Sequence, residues 1–277
     1  MRIIDAQKIV EERLSNAGIE DVRVNSRRII CKVLGLSLTE LLLHKTDEIS
    51  ESDFAAISDM TDRRANREPL QYILGSWEFC GFEFKVGKGV LIPREETEFI
   101  VEFALANIPE DAECNILDLC SGSGCIGLTI AKKRPKCRLY LLEKSDEAIK
   151  YIQENVKNLE LTNITILHED MFEFESGMKF AAILSNPPYI ESDEIKSLQA
   201  EVKKEPAMAL DGGTDGLDFY RHIADKYFDY LKQGGFVVVE SGEEQPPKIA
   251  EMFEKLKNIQ IHDDCFGVER FVSGEKK

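Results

Sequence analysis

Residues 181–184, Ala-Ala-Ile-Leu, have the composition of a short buried strand and run directly into Ser185-Asn186-Pro187-Pro188-Tyr189. Two consecutive prolines donate no hydrogen bond and hold φ at both positions, so the chain leaves the sheet in a rigid, extended form. The Asn186 side-chain oxygen and the Pro187 carbonyl are then free to accept. A planar nitrogen with two N–H groups, a primary amide or the exocyclic amine of a nucleobase, can give one hydrogen to each while Tyr189 stacks on its flat face. An amide nitrogen is a poor nucleophile because its lone pair is delocalised into the carbonyl. Two fixed acceptors favour the positive charge that develops as it reacts, and in-line positioning supplies much of the rest. That chemistry needs no strong general base, and no histidine stands where one would act. Elsewhere the same four residues would be an ordinary turn. Their place after the fourth strand of an alternating sheet gives them the functional reading.

A second constellation lies upstream. Residues 115–124, Asn-Ile-Leu-Asp-Leu-Cys-Ser-Gly-Ser-Gly, read as a buried strand, a glycine-rich turn and the start of a helix. Glycine lets the backbone approach a ligand where a β-carbon would clash. Such a turn alone is a weak signal, but two carboxylates sharpen it. Glu143 ends the next strand, where it can accept both ribose hydroxyls of an adenosine. Asp170 follows the third strand, placed to bond an adenine amino group while Met171 or Phe172 packs on the ring. Taken singly, each is better read as a solvated loop carboxylate; at the ends of successive strands they favour a cofactor. A dinucleotide enzyme would want G-x-G-x-x-G and a pyrophosphate on the helix N-terminus. Asp118 beside the loop suits a cationic amino-acid moiety better. The set Asp118, Cys120, Ser121, Gly122, Ser123, Gly124, Glu143, Asp170 and Met171 therefore points to S-adenosylmethionine, and with Asn186 to methyl transfer onto nitrogen.

The elements that must carry these residues alternate. From residue 93 onward, strands at 114–119, 138–142, 164–167, 181–184 and 236–240 are interleaved with helices at 95–106, after Gly124, and at 146–158, 217–231 and 247–256. Two closing strands fall near 259–262 and 270–272. This pattern predicts an α/β, Rossmann-like fold of the class I methyltransferase type, with ligands beyond the carboxyl ends of a mostly parallel sheet. Residues 1–70 read instead as a small helical domain, with helices near 3–14, 21–34, 39–43 and 50–67. Residues 71–92 mix aromatic and β-branched side chains with Gly75, Gly81, Gly87 and Gly89, which predicts a β-hairpin connector to the 93–277 catalytic domain.

Charge and cysteine usage narrow the partners. The net charge is −16, with 35 basic and 51 acidic side chains. A protein that neutralises phosphates usually shows a basic face, so direct nucleic-acid binding is not expected. No stretch reaches the roughly 18 apolar residues of a membrane span. Asp5, Lys8, Glu11 and Glu12 interrupt the start, which argues against export. Seven cysteines with no C-x-x-C pair argue against a disulfide framework or a zinc site, and for a reducing cytoplasm. No metal is expected.

Further segments carry a resemblance. Glu68-Pro69-Leu70-Gln71-Tyr72-Ile73-Leu74-Gly75 with Trp77-Glu78-Phe79, then Val90-Leu91-Ile92-Pro93-Arg94-Glu95-Glu96-Thr97-Glu98, join residues 118–124, the Asn186 tetrapeptide, Glu205-Pro206, Ala209-Leu210, residues 212–216 and Gly267-Val268-Glu269-Arg270. Together they resemble the HemK/PrmC family of protein-(glutamine-N5) methyltransferases over nearly the whole chain. The Asn-Pro-Pro-Tyr motif is shared with DNA adenine methyltransferases. The Leu-Ile-Pro-Arg segment combined with a helical N-terminal domain is far more specific. The resemblance implies that the acceptor is the glutamine of the Gly-Gly-Gln motif of bacterial peptide chain release factors, docked in part by the helical domain. It maps the glutamine pocket and its catalytic groups onto Asn186, Pro187, Pro188 and Tyr189. It maps the cofactor contacts onto loop 120–124, Glu143, Met171 after Asp170, and Asn186. Two departures stand out. Cys120 replaces the family's usual glycine, which predicts a backbone that avoids strongly positive φ there. Glu143 replaces an aspartate and is one methylene longer. Cys120 beside Cys125 reads as small buried thiols rather than a metal or redox pair.

Three other readings compete, and the first, a methyltransferase for a ribosomal-protein glutamine, would be expected to differ in its N-terminal region. An adenine or guanine amino-group methyltransferase would also use Asn-Pro-Pro-Tyr, but it needs base flipping and a basic surface. A non-catalytic module on this fold would have no use for Asn186 and an intact glycine loop.

Overall fold

The computed structural model describes all 277 residues, which divide into two compact units. One comprises Met1–Ser76 with Gln199–Lys204, and the other Trp77–Leu198 with Glu205–Lys277.

The first unit is helical: α1 (Ile3–Asn16), α2 (Val22–Leu34), α3 (Leu38–Leu43), α4 (Glu51–Ala65) and α5 (Leu70–Leu74). Ile3, Ala6, Val10 and Leu14, spaced three and four residues apart, share one buried face of α1. Each of the buried Ile, Val and Leu side chains contributes roughly 1.5–3 kcal/mol. Capping boxes at Ser37/Glu40 and Ser50/Asp53 start α3 and α4 by satisfying amides that have no helical partner. The distant segment 199–204 is tied in by charge. Glu201 Oε1 accepts from Arg64 Nη1 and Nη2 at 3.0 and 3.1 Å, while Arg64 Nε donates to Asn25 Oδ1 at 2.8 Å. The hairpin expected from Gln71 onward begins later, because Leu70, Tyr72, Ile73 and Leu74 are buried together on a short helix stopped by Gly75 at φ 74°.

The hairpin consists of β1 (Ser76–Phe79) and β2 (Phe82–Lys85), and from Trp77 on it belongs to the second unit. The buried rings of Phe79 and Phe84 meet edge to face at 6.1 Å. A seven-stranded sheet follows, from β3 (Asn115–Leu119), β4 (Arg138–Glu143), β5 (Ile164–His168), β6 (Phe180–Ser185), β7 (Leu231–Glu240), β8 (Lys257–Asp263) and β9 (Glu269–Glu275). The order is β5-β4-β3-β6-β7-β9-β8, parallel except that β9 runs antiparallel to both neighbours. Five helices accompany it: α6 (Glu98–Asn107), α7 (Cys125–Lys133), α8 (Asp146–Asn158), α9 (Asp218–Lys226) and α10 (Pro246–Met252). The alternation thus produced the mostly parallel sheet it predicted.

Two apolar clusters contribute side chains of the central strands. Leu117, Leu119, Ile183, Val237 and Val239 belong to one; Ile116, Ala182, Leu184 and Val238 belong to the other. Neighbouring residues on a strand point to opposite faces, so near-continuous apolar strands require cover on both sides. From β3 the chain steps outward to β4 and β5, then returns to place β6 on the other side of β3. The β3/β6 pair is therefore the point of reversal, where crossover segments diverge and leave a crevice beyond the carboxyl ends.

Candidate active site

A cleft of about 890 Å³, counting its open mouth, occupies that crevice within the second unit. Its walls come from the turn after β3, the ends of β4 and β5, the turn after β6, and segments around 89–97 and 206–209. Of the residues singled out from the sequence, Cys120, Ser121, Gly122, Ser123, Glu143, Asp170, Met171, Asn186 and Pro188 line it. Asp118, Gly124, Pro187 and Tyr189 stand behind the wall.

Asp118 lies wholly buried under the loop, with Oδ2 accepting from Gly127 N–H at 3.0 Å and Oδ1 left without a partner. It braces the start of α7 rather than facing the cleft as expected. A β-carbon on Gly127 would sit 2.9 Å from Oδ2, so the close approach of helix and strand needs glycine there. Burial pushes the Asp118 carboxyl up to about 7, against the pull of the Gly127 amide. At Cys120 the structure corrects the sequence reading. The residue adopts φ 56°, the left-handed conformation natural to glycine, because the chain must turn sharply from β3 into α7. Its Sγ packs 3.5 Å from Met171 Sδ.

Glu143 faces the cleft and is already engaged. Oε2 accepts from Gly122 N–H and Oε1 from Ser145 N–H, each at 2.8 Å. Burial raises its pKa, although these amides pull it down. Each carboxylate oxygen has two acceptor sites, so one per oxygen remains for a ligand hydroxyl. Asp170 accepts from Phe172 N–H at 3.0 Å and from Lys144 Nζ at 3.1 Å. Burial alone would raise its pKa, but the Phe172 amide and Lys144 together hold it below the usual carboxylate range. The Met171 carbonyl accepts from Tyr227 Oη at 2.8 Å, which holds the apolar Met171 side chain in the core beside the cleft. Behind the loop, the fully buried Asn155 donates to the carbonyls of Ser123 and Lys85 at 3.0 and 3.1 Å and accepts from Lys85 N–H at 2.6 Å. This arrangement fits an adenosine with a cationic tail: paired carboxylate acceptors, an apolar wall and closely approaching backbone.

On the other side of the cleft, Asn186 Nδ2 donates to Thr97 Oγ1 at 3.0 Å, and Thr97 Oγ1 donates to Glu240 Oε2 at 2.6 Å. Oδ1 of Asn186 stays available to accept. Pro187 is buried behind it, and its carbonyl accepts none of the turn's hydrogen bonds. The Tyr189 ring packs against the core instead of stacking across the cleft, and its carbonyl accepts from Gln245 Nε2 at 2.8 Å. Burial pushes its phenol up to about 12. Glu205 joins two walls: Oε2 accepts from Ile92 N–H at 3.0 Å and Oε1 pairs with Arg94.

The sequence reading assigned no role to Thr97, Glu240, Lys144 or Asn155. For Glu240 a signal existed, since it ends an apolar strand as Glu143 does. Lys144 directly follows that strand end. Thr97 lies in the Leu-Ile-Pro-Arg segment that carries the resemblance, but nothing there gives it a role, and nothing local marks Asn155.

Comparison with known proteins yields two family models. The PrmC N-terminal domain matches residues 5–75, and the methyltransferase small domain matches residues 94–215. The release factor glutamine methyltransferase of Geobacter sulfurreducens is 39% identical, with 94% of this chain and 92% of that protein aligned. The protein of the same name from Thermodesulfovibrio yellowstonii is 38% identical over 91% of each chain. Among solved structures, a methyltransferase from Pyrococcus furiosus superposes with a TM-score of 0.53 at 16% identity, over 79% of this chain and 98% of that one, a likeness of fold.

Proposed function

The chain belongs to the release factor glutamine methyltransferase family, and we propose that it methylates the side-chain amide nitrogen (N5) of the glutamine in the Gly-Gly-Gln motif of a bacterial peptide chain release factor. One observation carries this reading. Asn186 turns its N–H2 end toward Thr97, to which it gives one hydrogen, so Oδ1 points the other way. S-adenosylmethionine supplies the electrophilic methyl group, on a sulfonium.

The remaining tasks fall to this chain. Glu143 takes the ribose hydroxyls on its two remaining acceptor sites. Asp170 takes the adenine amino group, and Met171 packs against the ring. The backbone of 120–124 makes room for the amino-acid moiety, with the buried Asp118 carboxyl beneath it, ionised above about pH 7. Asn186 Oδ1 accepts one N–H of the substrate carboxamide, and the Pro187 carbonyl, which takes no backbone N–H, accepts the other once the substrate reaches past the cleft wall. That orients the nitrogen's face and stabilises the positive charge it acquires. Pro188 closes the wall beside them. Tyr189 anchors the turn from the core side.

We assign docking of the release factor in part to the helical unit. No helix is long and apolar enough to cross a membrane. The seven free cysteines suit the cytoplasm, where they stay reduced.

Incubation with labelled S-adenosylmethionine and a release factor tests the reading, followed by mass spectrometry of the Gly-Gly-Gln peptide. One methyl on that glutamine is expected, and none when it is changed to glutamate. Label on DNA or RNA instead would refute it.

A further inference from the structure

We propose that Thr97 and Glu240 are positioning residues, a buried relay that fixes which end of the Asn186 carboxamide faces the substrate amide. The inference rests on the acceptor role given to Asn186 above.

The geometry is set by the sheet. Ser185 and Val239 are register partners on the parallel strands β6 and β7, so Asn186 and Glu240 come next on adjacent chains. Thr97 immediately precedes α6 and stands between the two. Thr97 and Glu240 are each only 2% exposed, so water does not substitute freely for either partner.

Proton direction follows from donor and acceptor inventories. An ionised carboxylate only accepts, so the single Thr97 hydroxyl proton goes to Glu240. Thr97 Oγ1 then offers lone pairs alone, and Asn186 must present Nδ2 to it. Oδ1 is thereby turned to the opposite end, where an incoming N–H2 needs an acceptor. A flipped carboxamide would set oxygen against oxygen at Thr97 and N–H2 against N–H2 at the substrate. Protonating Glu240 permits the reverse chain: Glu240 donates to Thr97, Thr97 donates to Asn186 Oδ1, and the acceptor is lost.

The groups around Glu240 are Arg94 and Glu96 from the segment before α6, Tyr189 from the turn after β6, and Arg270 from β9; Tyr220 of α9 donates to its backbone carbonyl at 2.7 Å. Burial dominates over these charges and brings the Glu240 carboxyl up to about 7, where the relay can reverse near neutral pH.

The test combines turnover with a readout that needs none. Thr97→Val keeps the shape and removes the hydroxyl. It is expected to lower kcat by roughly tenfold to a hundredfold, the cost of a misdirected positioning group. The dissociation constant for S-adenosylmethionine, measured calorimetrically, should change by less than kcat does, because the relay shares the cleft but makes no hydrogen bond to Glu143 or Asp170. Thr97→Ser should restore kcat. The wild-type kcat should fall as pH drops through about 7, and Glu240→Gln, which cannot titrate, should lose that limb whatever its basal rate. In the unliganded protein, the 15N-labelled Asn186 N–H2 resonances should shift with the same midpoint as the Glu240 13C carboxyl signal, and Thr97→Val should uncouple them. Wild-type kcat in Thr97→Val, or Asn186 resonances indifferent to Glu240, overturns the relay. If the wild type methylates no release factor, the substrate reading falls, and the resonance experiment still decides the relay by itself.

Discussion

Replacing Asp118 by asparagine should stabilise the second unit at alkaline pH and confer progressively less benefit as the pH falls. The folded-state carboxyl is raised from 3.8 to about 7, chiefly by burial. A raised acid binds its proton more tightly folded than unfolded. The stability of the neutral form is therefore complete below about pH 4, declines as pH rises, and is fully lost above about pH 7. Three units at 1.36 kcal/mol each make the ionised group a penalty of about 4 kcal/mol at high pH, and of about 1–2 kcal/mol at pH 5. The asparagine retains an oxygen for Gly127 N–H but sets an amine where Oδ1 already lacks a partner, at a cost of about 1–3 kcal/mol. The stability of Asp118→Asn relative to wild type should therefore rise by about 2–3 kcal/mol between pH 5 and pH 8. Glu240 titrates in both proteins and cancels in the difference.

Trp77 is the only tryptophan and lies in the second unit, so urea unfolding followed by its fluorescence reports the relevant transition. A difference that stays constant across this pH range within about 0.5 kcal/mol, the additivity error of independent sites, would refute the buried-charge account of Asp118. The same variant should bind S-adenosylmethionine more weakly at pH 8, since a cation loses a nearby negative charge.

Asn186→Ala should lower turnover by about two orders of magnitude or more, the effect of removing a charge-stabilising acceptor, with labelled-methyl transfer as the measure. Cys120→Gly should change stability by less than about 1 kcal/mol, because relief of the left-handed backbone offsets the entropy glycine gives the unfolded chain. Cys120→Val should cost about 2 kcal/mol or more, since a β-branched residue is a strong outlier at that φ; thermal melts of both variants compare them directly. Arg64→Ala leaves Glu201 with Arg67 alone and Asn25 Oδ1 without its donor. It should cost about 2–4 kcal/mol in the helical unit, read by far-ultraviolet circular dichroism, and a loss under 1 kcal/mol would contradict the anchoring of segment 199–204.

The periodicity of apolar residues by itself determined that a helical unit precedes an alternating α/β unit, because burial on one helix face and on both sheet faces writes different patterns along a chain. The glycine turn, the carboxylates at successive strand ends and the Asn186 tetrapeptide were legible for the same local reason. Each sits within a few residues of a strand end that the pattern reveals. Element ends were less legible, as at Leu70–Leu74, where aromatic and aliphatic residues suit helix or hairpin and tertiary burial chose helix. The left-handed backbone of Cys120 also escaped, because a tight β3-to-α7 turn outweighed the preference of a residue with a side chain. Only the tertiary structure showed that Tyr189 faces the core, that Asp118 lies under the loop, and that Thr97 and Glu240, 143 residues apart, share one hydrogen bond behind Asn186. Hydrogen-bond direction and burial are properties of three-dimensional neighbours. No short stretch of sequence contains both ends of such a contact.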